Sequence, residues 1–358
     1  MPPAVREALA REMIAHRGPE FAALLRDCVD SLKWAFQTRH DVLVLTASGS
    51  GGLESLVVNT LSPNEKLLVA SVGYFGDRMS KTARAFGVDV IDLSFEPGQA
   101  ADSARIVAAL EADDSIRTVH VTHNETSTGV LNPLPEIAAA VRQARPDVLL
   151  LVDGISSIGS VPIEPEAWGC DVVVAGSQKG WMIPPGLVFV AISPRAWERQ
   201  AQARLPRMYF DWRAHKKALE AGSTPWTPAV NLLQALQAAF GLMRAEGLEA
   251  LFERHERLAR VTREGLRGLG LRLVADPRYP SPTVTTAYVP PDVDAKRLLK
   301  NVRERHDVVL AGGQGQLEGQ IVRIGHMGWV DEPDLAAALR ALEIELTASR
   351  AREAGVAA

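Results

Sequence analysis

Four places in the chain set reactive side chains directly after, or beside, short apolar runs. Val148–Val152 leads at once into Asp153 and then Gly154-Ile155-Ser156-Ser157. Val172–Ala175 leads into Gly176-Ser177-Gln178-Lys179-Gly180. Ser48-Gly49-Ser50-Gly51-Gly52 precedes Leu53-Glu54-Ser55-Leu56, which reads as a helix start, and His123-Asn124-Glu125-Thr126-Ser127-Thr128-Gly129 follows Thr118–Val121. An aspartate ending a buried strand offers a carboxylate at a sheet edge, though helix caps and turns use aspartate as well. A lysine in a small-residue loop after such a strand can be partly desolvated, which frees its amine as a nucleophile; most lysines are simply solvated. Small residues ahead of a helix let backbone N–H groups approach an anion. That loop lacks the Lys-Ser/Thr of a P-loop and the spacing of a dinucleotide fingerprint. The polar cluster at 123–129 offers many hydrogen-bonding side chains, a composition that capping and turns also produce.

One chemistry uses all four. Pyridoxal phosphate needs a lysine amine for its aldehyde, a carboxylate on its pyridine nitrogen and an anion pocket for its phosphate. It also needs a ring to stack on and a donor to its phenolic oxygen. Lys179, Asp153, the glycine loop, Phe75 in Gly73-Tyr74-Phe75-Gly76, and Thr126 supply these in turn.

The elements that must position these residues follow from the pattern. Leu67–Val72, Val88–Leu93, Thr118–Val121, Val148–Val152, Val172–Ala175 and Leu187–Ile192 are continuous apolar runs, as in strands buried on both faces of a parallel sheet. Helical stretches at Arg78–Phe86, Asp102–Leu110 and Pro135–Ala144 supply crossovers, and ligands of such sheets sit beyond the carboxyl ends of the strands. Ser193 to Pro228 reads as loop and short helix. Leu233, Leu236, Phe240 and Met243 then mark one face of a long helix, and Gly247 separates it from a second over Leu251–Leu269. β-rich pieces follow at Leu271–Val274, Thr283–Val289, Val308–Leu310 and Ile321–Gly325, and a last helix carries Leu335, Leu339, Leu342 and Leu346. The expected class is α/β. Residues 1–245 form a large, mostly parallel sheet domain, whose segment 1–30 packs near the small domain. Residues 246–358 form that smaller C-terminal α+β domain.

The chain resembles the class V, fold-type I aminotransferases, especially the alanine/serine–glyoxylate (serine–pyruvate) group. The likeness covers nearly all of it and rests on SGSGG, GYFGDR, HNETSTG, VDGISSIG, GSQKG, TPWTPAV and VRIGHMG. The resemblance implies that Lys179 is the Schiff-base lysine, Asp153 the partner of the pyridinium and Phe75 the stacking ring. It implies Thr126 at the phenolic oxygen, and Ser50, Gly51, Gly52 and Gln178 around the phosphate. Thr227 would reach the phosphate of the other subunit's cofactor in a homodimer. Arg323 would hold the substrate α-carboxylate with its guanidinium fork. Donors would be alanine, serine or aspartate, and acceptors glyoxylate or pyruvate. The chain starts in mid-motif relative to the family's Pro-Gly-Pro-rich beginning, and Thr224 stands where some members carry a phosphate-holding tyrosine.

Composition sets the outer bounds. The 358 residues are 47% hydrophobic and 23% charged, with 39 basic and 43 acidic side chains and a net charge of −4. That is a globular balance with no general affinity for nucleic acid or anionic membranes. Two cysteines, Cys28 and Cys170, exclude a disulfide scaffold and a four-cysteine zinc site, and suit a reducing cytosol. No run approaches a membrane span, the first residues lack the apolar core of a signal peptide, and the histidines are not at metal spacing. The expectation is a cytoplasmic enzyme without a metal. A lyase of the same fold and a cofactor-binding protein with little turnover remain alternatives. A cysteine desulfurase is disfavoured, because Gly312–Gln320 contains no cysteine. Cys28 and Cys170 read as core; Trp181 and Trp329 could border the site, with aromatic core or rim the plainer reading of both.

Overall fold

The apolar runs are strands of one sheet. The computed structural model describes residues 1–356, with side chains through 350. Its large sheet contains β1 (Asp41–Ala47), β2 (Lys66–Ser71), β3 (Asp89–Ser94), β4 (Ile116–Thr122), β7 (Leu149–Asp153), β8 (Val172–Gly176) and β9 (Gly186–Ile192), in the order β1-β9-β8-β7-β4-β2-β3. A short hairpin, β5 (Asn124–Glu125) with β6 (Val130–Leu131), stands at the end of β4. All pairings in the large sheet are parallel except those of β9, which runs against both neighbours. Six strands therefore present their carboxyl ends on one edge. The apolar pattern carries no strand direction, so the reversal of β9 and the existence of β1 are structural findings.

Period-two alternation splits these strands between two cores. Leu150, Val152, Val173 and Ala175 join one cluster, while Leu151, Val172 and Val174 join the other on the opposite face. Helix α3 (Gly49–Thr60) covers the second face with Leu53, Leu56 and Val57. The first face is covered by α2 (Pro19–Ala35) and by the helix Val230–Glu246, where Leu233, Leu236, Phe240 and Met243 are all buried. Edge strand β3 has no buried residue, its positions being exposed or half-buried, and the other edge strand, β1, is only partly buried.

Helix α1 (Pro3–Leu9) and the turn after it lie on helix Val230–Glu246. Asn231 Nδ2 donates to Leu9 O at 3.0 Å and Arg11 O at 3.1 Å, and Gln234 Nε2 to Glu12 O at 3.3 Å. The reason is apolar: Val5 and Ala8 are fully buried, and α2 behind them joins the large core through Phe21, Leu25, Cys28 and Leu32.

The C-terminal part has its own core around Leu258, Leu266, Leu298, Val302, Leu335 and Leu342. Its sheet is β10 (Val284–Tyr288), β12 (Ile321–Gly325) and β11 (Ala311–Gly312), in that order and antiparallel. The expected strand at Leu271–Val274 contributes only a bridge from Leu273 to Ala287, and Val308–Leu310 is irregular, with pairing delayed to Ala311. Trp181 is buried among Phe36, Phe189 and Phe240, Trp329 is exposed, and both cysteines are free and buried. No helix among the described residues is long and apolar enough to cross a membrane.

Candidate active site

Register alone brings the carboxylate and the amine together. β7 ends at Asp153, which lies opposite Val174 of β8 and Thr122 of β4; β8 ends two residues later at Gly176, and Lys179 follows in the loop. The two groups therefore share the carboxyl edge of the sheet. A cavity of about 280 Å³ opens there, and Ser50, Phe75, Thr126, Asp153, Gln178 and Lys179 all line it. Gly51 and Gly52 do not. A Cβ on Gly52 would stand 2.5 Å from Val188 and 2.7 Å from Val174, so this glycine lets α3 press onto β8 and β9. Arg323 stands just behind the wall, its Nη1 donating to Thr126 O at 3.1 Å. Thr227 is exposed and does not line its own chain's cavity; the neighbouring Thr224 donates to Trp226 O at 2.7 Å.

The electrostatics follow from burial. Asp153 is pushed up to about 7, chiefly by burial and further by Glu125, while the Ile155 N–H, Lys179 and Arg78 pull it down. Its hydrogen bond from Ile155 N is 2.9 Å. Burial also lowers the Lys179 amine, against the pull of Asp153 and with help from Arg323 and Arg78. A dry carboxylate with a high proton affinity and an amine with a low one are the pairing that acid–base work needs.

Two helices start at this edge. Ser48, Gly49 and Ser50 bring the amino end of α3 to the cavity, and Ser48 caps none of its N–H groups. Helix α4 (Tyr74–Ala85) starts beside it with Phe75 in its first turn. Arg78, one turn on, lies 5.0 Å from the Phe75 ring centre and donates to Ser50 Oγ at 3.2 Å. Glu125 Oε2 accepts from Phe75 N at 3.1 Å and Gly76 N at 3.2 Å, which fixes the start of α4.

Sequence reasoning assigns no individual role to Arg78, Thr122, Asn124 or Ser156, which also line the cavity, or to the buried Glu125, although Asn124, Glu125 and Ser156 lie in the polar segments it singles out. Arg78 was within reach, because its spacing of three from Phe75 puts both on one helix face. The others needed the hairpin's geometry.

The side chains present fit pyridoxal phosphate. The chain leaves two buried polar atoms of cavity-lining residues without partners, Thr122 Oγ1 and Asn124 Oδ1, as expected where a polar ligand completes the network. The start of α3 with Arg78 suits a phosphate, Asp153 a ring nitrogen, Phe75 a ring face and Lys179 an aldehyde.

Comparison with known proteins agrees. The family model described as aminotransferase class-V matches residues 6–325. A protein of Anabaena cylindrica named soluble hydrogenase 42 kDa subunit is 41% identical over 97% of this chain and 90% of its own length. An L-aspartate–glyoxylate aminotransferase of Paracoccus denitrificans is 38% identical over 92% of this chain and 84% of its own. The crystal structure of an alanine–glyoxylate aminotransferase from Nostoc sp. superposes with a TM-score of 0.92 at 30% identity, covering 96% of this chain and 92% of that one. The cavity, the sheet that builds it and the sequence around it thus converge, and the chain belongs to the class-V aminotransferases, fold-type I enzymes that work with pyridoxal phosphate.

Proposed function

We propose that this aminotransferase moves the amino group of a small amino acid (alanine, serine or aspartate) to a small 2-oxo acid such as glyoxylate or pyruvate. The observation that carries the reading is the convergence of Lys179 and Asp153 in one cavity beside the open end of α3. When bound, the cofactor supplies an aldehyde for the amino group and a ring that accepts the electron pair released at the substrate α-carbon. Lys179, with its lowered proton affinity, takes the α-proton as base and returns it as acid. Asp153 holds a proton at the ring nitrogen, the start of α3 with Ser50, Arg78 and Gln178 holds the phosphate, and Phe75 supports the ring. Thr126 donates to the phenolic oxygen.

Arg323 holds the substrate carboxylate in this reading. Its Nε donates to Gly312 O at 2.7 Å, and its Nη1 to Thr126 O and Gln314 Oε1, each at 3.1 Å. No described residue accepts from its Nη2, which leaves that corner of a rigidly held fork for a ligand. Arg323→Ala removes both charge and fork, so KM for amino acid and oxo acid should rise about 10–150-fold with cofactor affinity unchanged, and Arg323→Lys, which keeps the charge alone, should recover only part of that. An unchanged KM places the carboxylate elsewhere.

The test of the whole reading is a donor–acceptor panel on the cofactor-loaded enzyme. Amino transfer with a small donor and glyoxylate or pyruvate supports it; elimination products without transfer would favour a lyase. We also read the enzyme as a cytoplasmic homodimer with Thr227 at the partner's cofactor. Support comes from the exposure of Thr227 off its own cavity and of Met208 and Tyr209 nearby. Sedimentation tests it: a monomer that binds cofactor stoichiometrically overturns the dimer.

A further inference from the structure

A second cavity, of about 250 Å³, lies in the C-terminal part between helix Leu248–Gly268 and the segment 273–286. Arg260, Arg263 and Arg267 line it together with Ser281, Thr285 and Thr286, and no Asp or Glu does. Spacings of three and four put the three arginines on one face of the helix. In a chain of net charge −4, a concave wall carrying three cations and no carboxylate is a strong local bias.

The same helix shows what its arginines do elsewhere. Arg254 pairs with Glu246 at 2.6 Å and Arg257 with Glu332 at 3.1 Å. Arg260 and Arg267 are exposed and form no ion pair among the described residues, although Glu264 is one turn from Arg260. Arg263 is largely buried, with 12% of its side chain exposed. Its Nη2 reaches the exposed Glu256 at 2.8 Å, and its Nη1 donates to Ser281 O at 3.4 Å. Three guanidinium groups around one concavity repel one another unless an anion sits between them, and their planar forks match oxyanions.

The geometry points to a binding site for a small phosphate dianion, free or as a monoester, separate from the catalytic cavity. A monocarboxylate would occupy one fork, whereas a tetrahedral dianion can engage several. The volume holds such an ion with a small organic group, since a water takes about 30 Å³. The site backs onto the loop that carries Thr126: Ser281 N donates to Gly129 O at 2.8 Å, and Thr286 Oγ1 to Thr128 O at 2.7 Å.

The test is calorimetric titration of the cofactor-loaded enzyme, whose catalytic phosphate cradle is already filled. Inorganic phosphate is used in one arm and glycerol phosphate in the other, at ionic strength held constant with chloride. Saturable uptake of either at one site per chain is expected, and the tighter ligand tells whether the free ion or an ester is the source. Arg260→Gln with Arg267→Gln should weaken binding at least about tenfold, given the strength of charge-assisted contacts. Both positions are exposed and glutamine keeps the helix, which an unchanged melting midpoint verifies. Arg297→Gln with Arg303→Gln, on exposed positions of another helix, should leave binding unchanged. No saturable uptake, no loss in the first pair, or equal loss in both pairs overturns the proposal.

Discussion

Helices α3 and α4 begin side by side at the carboxyl edge of the sheet, and neither is capped by its own preceding residue. Their amino ends are nevertheless finished in opposite ways. At α4, Glu125 reaches in from fifty residues away and accepts from two first-turn N–H groups, and its other oxygen accepts from Ser127 N and Oγ. All four partners can donate, which suits a carboxylate anion and offsets the burial that pushes its pKa up. At α3 no carboxylate among the described residues accepts from the first-turn N–H groups. Arg78 lies beside it instead, a cation next to a helix end that is already positive. That arrangement is unfavourable until an anion enters between them. One end is completed by the chain and the other by a ligand, so residues at the first should matter for folding and residues at the second for turnover.

The largest break in that comparison is Lys179→Ala. The amine borders the open end, and no described hydrogen bond holds it, so its loss should leave the fold intact. Turnover should fall by several orders of magnitude, since general acid–base catalysis alone contributes ~10²–10⁴. Single-turnover kinetics beside a melting curve measure both. Activity within about tenfold of wild type would show that another residue moves the proton.

Asp153 tests whether the open end costs stability. Its carboxyl is raised from 3.8 to about 7, chiefly by burial. The unfolded chain loses this proton first, so the contribution of Asp153 to the stability of the cofactor-free protein is fullest below about pH 4 and is lost as pH rises to about 7. The full displacement corresponds to ~4 kcal/mol as an upper bound. Asp153→Asn should therefore be more stable than wild type at pH 8, equal to it near pH 4, and inactive. Parallel denaturation curves at the two pH values decide this; a pH-independent difference would mean that the carboxylate is not desolvated.

The two helix ends also differ in how far the sequence discloses them. The open end is local: SGSGG ahead of an apolar helix, Asp153 and Lys179 after buried strands, each lying within one short segment. Phe75 and Thr126 follow from the ring face and the phenolic donor that the cofactor needs, and the family motifs point to the same two residues. The filled end is non-local, because Glu125 looks like one more polar residue in a loop until the β5–β6 hairpin delivers it to α4. The fold divides in the same way. Continuous apolar runs announce β2, β4, β7 and β8, whereas the direction of β9 and the seat of α1 on helix Val230–Glu246 depend on long-range packing that no short pattern encodes. The packing role of Gly52 is hidden for a related reason, since a glycine facing a phosphate and one facing a valine read alike.

Glu125→Gln attacks the filled end. An amide has one accepting oxygen, so whichever way it turns, two donors among Phe75 N, Gly76 N, Ser127 N and Ser127 Oγ lose their acceptor. Hydrogen bonds to a charged group contribute about 1.5–3 kcal/mol each, and local relaxation returns part of that, so a net loss of ~2–3 kcal/mol is expected. Cofactor-free protein should show it in full by chemical denaturation. A loss that appears only with cofactor bound would make Glu125 part of the ligand site and erase the contrast.

Ser50→Ala probes the open end by the smallest change. The serine hydroxyl lines the cavity and accepts from Arg78, and its backbone N–H belongs to the first turn of α3. Alanine keeps the helix and the backbone donor and removes one side-chain contact. Cofactor affinity should fall by about 1 kcal/mol, roughly fivefold, while cofactor-free stability should stay within ~0.5 kcal/mol of wild type. Fluorescence titration and denaturation measure the two. Combining Ser50→Ala with Arg78→Gln sharpens the test, because two residues acting on one anion should give losses in affinity that do not add. Additive losses would mean that serine and arginine act on different groups. If Ser50→Ala instead destabilised the cofactor-free chain and left affinity alone, the start of α3 would be finished from within as that of α4 is, and its openness would have no bearing on the ligand.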